Sequence, residues 1–163
     1  MSDIVLQGRG IDRYFGSEKH RRQVLFGVDI DVYAGECLAV IGGSGSGKTT
    51  LTRVLLGLES SDGGDITYQG VGIVGGAERL RRQSGLVFQD PFSSLDPRQT
   101  VMQLISEPII EHKLLKTKKE IEERTLELME TVGLAERYIN VYPHELDGGR
   151  RQRIGIARAL AVR

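Results

Sequence analysis

The sequence is poor in cysteine, in net charge and in long apolar runs, and each shortage closes off a class of protein. One cysteine, Cys37, cannot form an internal disulfide, so a stapled secreted scaffold is excluded and a reducing compartment fits. Lys and Arg number 22, as do Asp and Glu, so there is no basic excess and no sign of a nucleic-acid partner. No apolar stretch approaches the roughly 20 residues that cross a bilayer. A signal-peptide pattern is also lacking at the N-terminus, so any membrane role is expected to be peripheral. The three histidines, His20, His112 and His144, have no companions at metal-ligand spacing. Neither a fixed-period repeat nor a low-complexity tract occurs.

Glycine is plentiful. Its 21 residues concentrate at 42–47 and 63–76 in a chain whose 163 residues suit one domain with a sizeable core. The first cluster is informative. Gly42-Gly-Ser-Gly-Ser-Gly-Lys-Thr-Thr50 fits the phosphate-binding loop pattern through Gly42, Gly47, Lys48 and Thr49. Cys37-Leu-Ala-Val-Ile41 before it reads as a buried strand, which makes Cys37 a core thiol. After it, Leu51, Val54, Leu55 and Leu58 repeat at i, i+3, i+4 and i+7, one face of a helix.

Strand, loop and helix together supply what a triphosphate needs. Gly42, Gly43, Gly45 and Gly47 permit positive φ, so N–H groups, with Ser44 and Ser46 between them, converge on a phosphate. The helix directs its positive end at the same point. Lys48 is expected to bridge β- and γ-phosphates and Thr49 to hold Mg²⁺, while Thr50 supports the first helical turn. Nucleotide binding is the expectation.

Elsewhere, Ile4–Gly8 and Val24–Val32 read as strands, the latter with Val28, Ile30 and Val32 alternating against Asp29 and Asp31. Asp65–Gln69 reads as a short strand, Gly70–Gly76 as a loop, Ala77–Gln83 as a short basic helix, and Gly85–Phe88 as a strand delivering Gln89. Asp90–Gln99, with two of the four prolines, reads as an irregular loop. A helix from Val101 is expected to be interrupted at Pro108. Thr117 and Glu120 form a capping box for a helix presenting Ile121, Thr125, Leu128 and Val132, closed by Gly133. A last helix is expected from Gly148 or Gly149 through Ile154, Ala157 and Ala161.

Two further segments, read with the loop, resemble ATP-binding cassette (ABC) ATPases. Leu86-Val-Phe-Gln-Asp-Pro-Phe-Ser-Ser-Leu-Asp-Pro97 is similar to their Q-loop region. Tyr142-Pro-His-Glu-Leu-Asp-Gly-Gly-Arg-Arg-Gln-Arg-Ile154 is similar to their signature segment, with its helix continued by Ile156-Ala-Arg-Ala-Leu160. The wording is nearest to importers of oligopeptides, dipeptides and nickel. Phe15 occupies the place of the family's adenine-stacking aromatic, with Tyr14 an alternative.

The resemblance implies an α/β fold: an incomplete P-loop NTPase (RecA-like) core with a small antiparallel β subdomain and an α-helical subdomain. Its divisions would be residues 1–94, 95–147 and 148–163. It implies ATP and Mg²⁺ as cofactors, with Gln89 contacting Mg²⁺ or the attacking water. The implied partners are permease subunits, a second ATPase subunit and, indirectly, a substrate-binding protein, at the cytoplasmic face of a membrane. It also implies that Walker B, catalytic glutamate and switch histidine lie beyond Arg163. On that basis a fragment that binds nucleotide with little hydrolysis is expected.

One motif departs from the family's Leu-Ser-Gly-Gly-Gln, reading Leu146, Asp147, Gly148, Gly149 and Arg150. In the family this segment reaches the γ-phosphate held by the other subunit. A carboxylate about 4 Å from that phosphate meets repulsion on the order of 4 kcal/mol at an effective dielectric near 20. Losing the serine's neutral hydrogen bond costs only about 1 kcal/mol. A half-site weakened in trans is therefore expected, unless Arg150 offsets the charge or Asp147 serves as a helix N-cap.

Overall fold

Alternating apolar and polar residues near the N-terminus pair into a long hairpin in the computed structural model, which describes residues 3–17, 20–73, 77–90 and 94–162. Two compact units result, Met1–Arg81 and Arg82–Arg163. In the first, strand β1 (Ile4–Phe15) pairs antiparallel with β2 (Arg22–Tyr33), placing Gly8 opposite Ile30 and Phe15 opposite Arg22. β1 pairs on its other edge with β3 (Gly63–Tyr68), and β3 with β4 (Val71–Gly72), giving the order β2-β1-β3-β4.

Helix α1 (Lys48–Leu55) follows the glycine loop. Its Leu51, Val54 and Leu55 are buried with Ile11, Leu25 and Ile66, against which Val28 and Ile30 also pack. Each such side chain contributes about 1.5–3 kcal/mol on leaving water, so this apolar stripe holds the loop's helix in place. Leu58, expected on the same face, lies past the helix end and is exposed. Helix α2 (Glu78–Gln83) buries Leu80.

The second unit is built around α3 (Val101–Glu111), α4 (Lys118–Thr131) and α5 (Gly148–Leu160). Leu104, Ile105, Leu128, Met129, Ile154 and Ala157 form its core, joined by Leu134 and Leu146 from the connecting turns. The capping box of α4 is present: Glu120 N–H donates to Thr117 Oγ1 and Thr117 N–H to the Glu120 carboxylate. Gly133 takes the left-handed conformation (φ 68°) that ends α4. α3 carries a second box, Thr100 with Gln103.

Several expectations are corrected. Cys37–Ile41 is not a strand, and Cys37 is exposed rather than a core thiol. Leu38, Val40 and Ile41 are 42%, 44% and 90% exposed. The reason is that apolar runs become strands only when neighbouring backbone satisfies their ladder and both faces are covered. No described strand pairs with this run. Gly85–Phe88 is likewise not a strand and leaves Val87 and Phe88 exposed. Gly85 instead lies against α5, where a Cβ would stand 2.2 Å from the Ala159 carbonyl oxygen.

α3 also runs through Pro108 rather than stopping there; the turns on either side are held by buried Leu104, Ile105 and Ile109. Val71–Gly72 is a short strand, not loop. β1 continues to Phe15 across register shifts, beyond the Gly8 limit expected. Parts of two expected loops (residues 74–76 and 91–93), with residues 1–2, 18–19 and 163, lie outside the described residues.

Candidate nucleotide-binding site

The loop of residues 42–47 is positioned at its Gly47 end. Gly47 enters α1 at φ 92°, and a Cβ there would stand 3.1 Å from the Val24 carbonyl oxygen and 3.2 Å from the side chains of Val24 and Leu25. Only glycine supplies both that backbone conformation and that closeness to β2. At the other end, nothing lies within 4 Å of a Cβ built on Gly43 or Gly45. The loop is thus closed against the sheet at Gly47 and open at Gly43 and Gly45.

Inside this loop Lys48 folds back. Its Nζ donates to the carbonyls of Gly42 (2.9 Å) and Gly43 (2.6 Å) and approaches Ser46 Oγ at 3.4 Å. An ammonium on neutral carbonyls exchanges readily for phosphate oxygens, because these carry a full opposite charge that the carbonyls lack. α1 has no side-chain cap, whereas α3, α4 and α5 are capped by Thr100, Thr117 and Asp147. The first-turn N–H groups of α1 are therefore left for an outside acceptor. Thr49 stands exposed in that turn and Thr50 is half-buried.

These residues fit a triphosphate tail. For Mg²⁺ the loop offers the Thr49 hydroxyl, and no group of three or more His, Cys, Asp or Glu at metal-binding distance occurs among the described residues. That set suits an ion held chiefly by phosphate oxygens and water.

Phe15, at the end of β1, is 40% exposed, and the Arg13 guanidinium lies over its ring at 4.8 Å. Tyr14 is covered in the same way by Arg21 at 4.7 Å. Asp62 gathers this end of the sheet, accepting from Tyr14 N–H, Arg13 and Arg21. The Tyr14 N–H, foremost, and the two guanidinium groups hold the Asp62 carboxyl below its ordinary range. Sequence reasoning missed Arg13 and Asp62. The available signal was strand alternation, which puts Arg13 and Phe15 on one face.

Gln89 and the signature residues belong to the second unit, the glycine loop and Phe15 to the first. Gln89 sits at an exposed bend. In the signature segment Leu146 is buried, and Asp147 caps α5, accepting from Arg150 N–H at 2.8 Å. The other carboxylate oxygen of Asp147 accepts from the Arg150 guanidinium at 2.5 Å. Arg150 in turn stacks over Tyr138 at 4.9 Å. The two departures from the family pattern are therefore one unit: the carboxylate starts the helix, and the arginine neutralises it. Gly148 and Gly149 form the first turn between them.

A glycine loop carrying a lysine, set before the uncapped start of a helix packed on an antiparallel sheet, defines a P-loop nucleotide-binding domain. The family described as ABC transporter matches residues 25–163, and the chain belongs to it. Oligopeptide transport ATP-binding protein OppF of Bacillus subtilis is 41% identical over 99% of this chain and 55% of its own length. Glutathione import ATP-binding protein GsiA of Escherichia coli O157:H7 is 48% identical over 83% of this chain and 22% of its own. The chain thus spans about half the length of the first and less of the second. Among solved structures, the dimeric post-hydrolysis state of an ATP-binding cassette bound to ADP and Pi matches with a TM-score of 0.87 and 27% identity. That match covers 96% of this chain and 69% of the other. The fold expectation, a partial P-loop NTPase core with an antiparallel sheet and helices, is borne out.

Proposed function

We propose that this chain is the nucleotide-binding part of an ATPase subunit that powers uptake of peptides. The observation that carries the reading is the open loop at residues 42–49, with Lys48 resting on exchangeable carbonyl acceptors. ATP would lay its β- and γ-phosphates along the loop amides and Lys48, with Mg²⁺ on Thr49, and its base near Phe15. A peptide cargo is supported by the relatives, one an oligopeptide transporter and the other an importer of glutathione, a tripeptide.

No helix among the described residues is long and apolar enough to cross a membrane. The subunit would work at the cytoplasmic face through permease subunits, beside a second ATPase subunit, with a substrate-binding protein acting indirectly. Gln89 would orient water or Mg²⁺ there; an amide positions a water but takes no proton from it. Binding by this chain should accordingly exceed turnover.

A second reading is a nucleotide-binding module that pairs with another ATPase without turning over, and the use of Asp147 as a cap favours it. Calorimetric titration of the purified chain with ATP, with and without Mg²⁺, paired with phosphate release, tests both. Saturable, Mg²⁺-strengthened binding supports the nucleotide reading, and its absence contradicts it. Turnover within the common enzymatic range of about 1–10³ s⁻¹ would overturn the second reading.

A further inference from the structure

We propose that Arg13 is a positioning residue for base recognition: braced from behind, it backs one face of the Phe15 ring so that the other face is held out to a nucleobase. The proposal rests on the nucleotide reading above and concerns the base rather than the phosphates.

Three observations converge on it. Arg13 and Phe15 are two residues apart on β1 and share a face, which brings the guanidinium over the ring at 4.8 Å. Nη1 of Arg13 is anchored to Asp62 Oδ2 at 3.1 Å and Ser60 Oγ at 3.3 Å, both on the segment leading into β3. Arg13 Nε and Glu59 Oε2 remain 3.9 Å apart, each buried without a hydrogen-bond partner. A closer approach would satisfy both atoms, yet the guanidinium stays over the ring. Ring and Asp62, rather than Glu59, set its plane.

The same end of the sheet leads to the phosphate loop. Phe15 lies opposite Arg22 on β2, and Val24, two residues on, is the residue whose carbonyl and side chain stand against Gly47. Two residues of strand span about 7 Å. Residues 22 and 24 share a face, and directly opposite residues share it too, so Phe15 faces the way Val24 does. Tyr14, opposite Gln23, faces the other way. This decides between the two aromatics in favour of Phe15. A ring fixed on one side by a cation loses little freedom when a purine stacks on the other. With the Arg13 side chain only 19% exposed, the contact is stronger than at an open surface.

The test is calorimetric titration of the 163-residue chain with Mg-ATP and, separately, with inorganic tripolyphosphate, which has no base. Parent, Arg13→Ala, Arg13→Lys, Phe15→Ala and the Arg13→Ala/Phe15→Ala pair are compared. Arg13→Ala should weaken ATP roughly twofold to tenfold, the cost of ordering one side chain at a binding site, since the contact is already made before ATP arrives. Tripolyphosphate should change less than about twofold, which also shows that the loop remains folded. Arg13→Lys, which keeps the charge without the planar fork, should fall between parent and alanine. In the Phe15→Ala background, Arg13→Ala should add nothing. Equal losses for both ligands, or an undiminished Arg13→Ala effect without the ring, would overturn the proposal. A parent that binds tripolyphosphate as tightly as ATP overturns it alone, whereas a parent that binds neither overturns the nucleotide reading as well.

Discussion

Lys48→Ala should weaken Mg-ATP binding from roughly tenfold to above a hundredfold, because hydrogen bonds to charged groups contribute about 1.5–3 kcal/mol and each 1.4 kcal/mol is a factor of ten. Nζ holds the Gly42 and Gly43 carbonyls across the loop at 2.9 and 2.6 Å, so the substitution removes two things. One is the positive charge that meets the β- and γ-phosphates. The other is the tie that draws the loop's start towards α1. Stability should change little, since the loop is exposed and α1 is held by Leu51, Val54 and Leu55. Calorimetry and a thermal melt read the two effects separately. An unchanged affinity would remove Lys48 from the site.

Asp147→Ala should destabilise the helical unit by about 1 kcal/mol, within the roughly 0.5–2 kcal/mol span of N-cap losses. The carboxylate is the side-chain acceptor at the start of α5, and α5 places Ile154 and Ala157 at the centre of that unit's core. Asp147→Ser should retain most of this stability, because serine caps as well as aspartate does. The Asp147–Arg150 ion pair is itself solvent-exposed, 57% and 42%, so Arg150→Ala should cost at most about 1 kcal/mol. Far-UV circular dichroism melts in urea and heat check all three. If serine and alanine destabilise alike, the cap is not what Asp147 contributes, and its charge acts through the ion pair with Arg150 instead.

How much of this was legible in the sequence depended on whether the controlling interactions are local. The Thr117–Glu120 box, Gly133 and the Leu51–Leu55 stripe concern residues within one or two turns of each other, and all are present. Thr100 and Gln103 carried the same box signature before an apolar run and went unread. Cys37–Ile41 and Gly85–Phe88 were misread because a strand is a relation between two segments. Composition announces an apolar run but not the neighbour that would pair with it. Pro108 was misread for a similar reason: its local penalty is set against burial of Leu104, Ile105 and Ile109, which no local rule counts.

At the site, glycine spacing identified the loop, but the resting place of Lys48 needed coordinates. Both outlets for the signature charge had been visible, a cap or an arginine counter-charge. The structure uses both at once, through one residue pair three apart. Arg13 and Asp62 could not be paired from the sequence, since 49 positions separate them and only the β1–β3 ladder brings them together.

The central claim is that the loop amides and Lys48 receive a triphosphate. Following the backbone amide resonances of ¹⁵N-labelled chain during titration with a non-hydrolysable ATP analogue and Mg²⁺ tests it residue by residue. The account predicts saturable downfield shifts concentrated at Gly43 to Thr50, as N–H groups gain anionic acceptors. Shifts that leave those amides untouched at saturating ligand, or gather elsewhere in the chain, would contradict it.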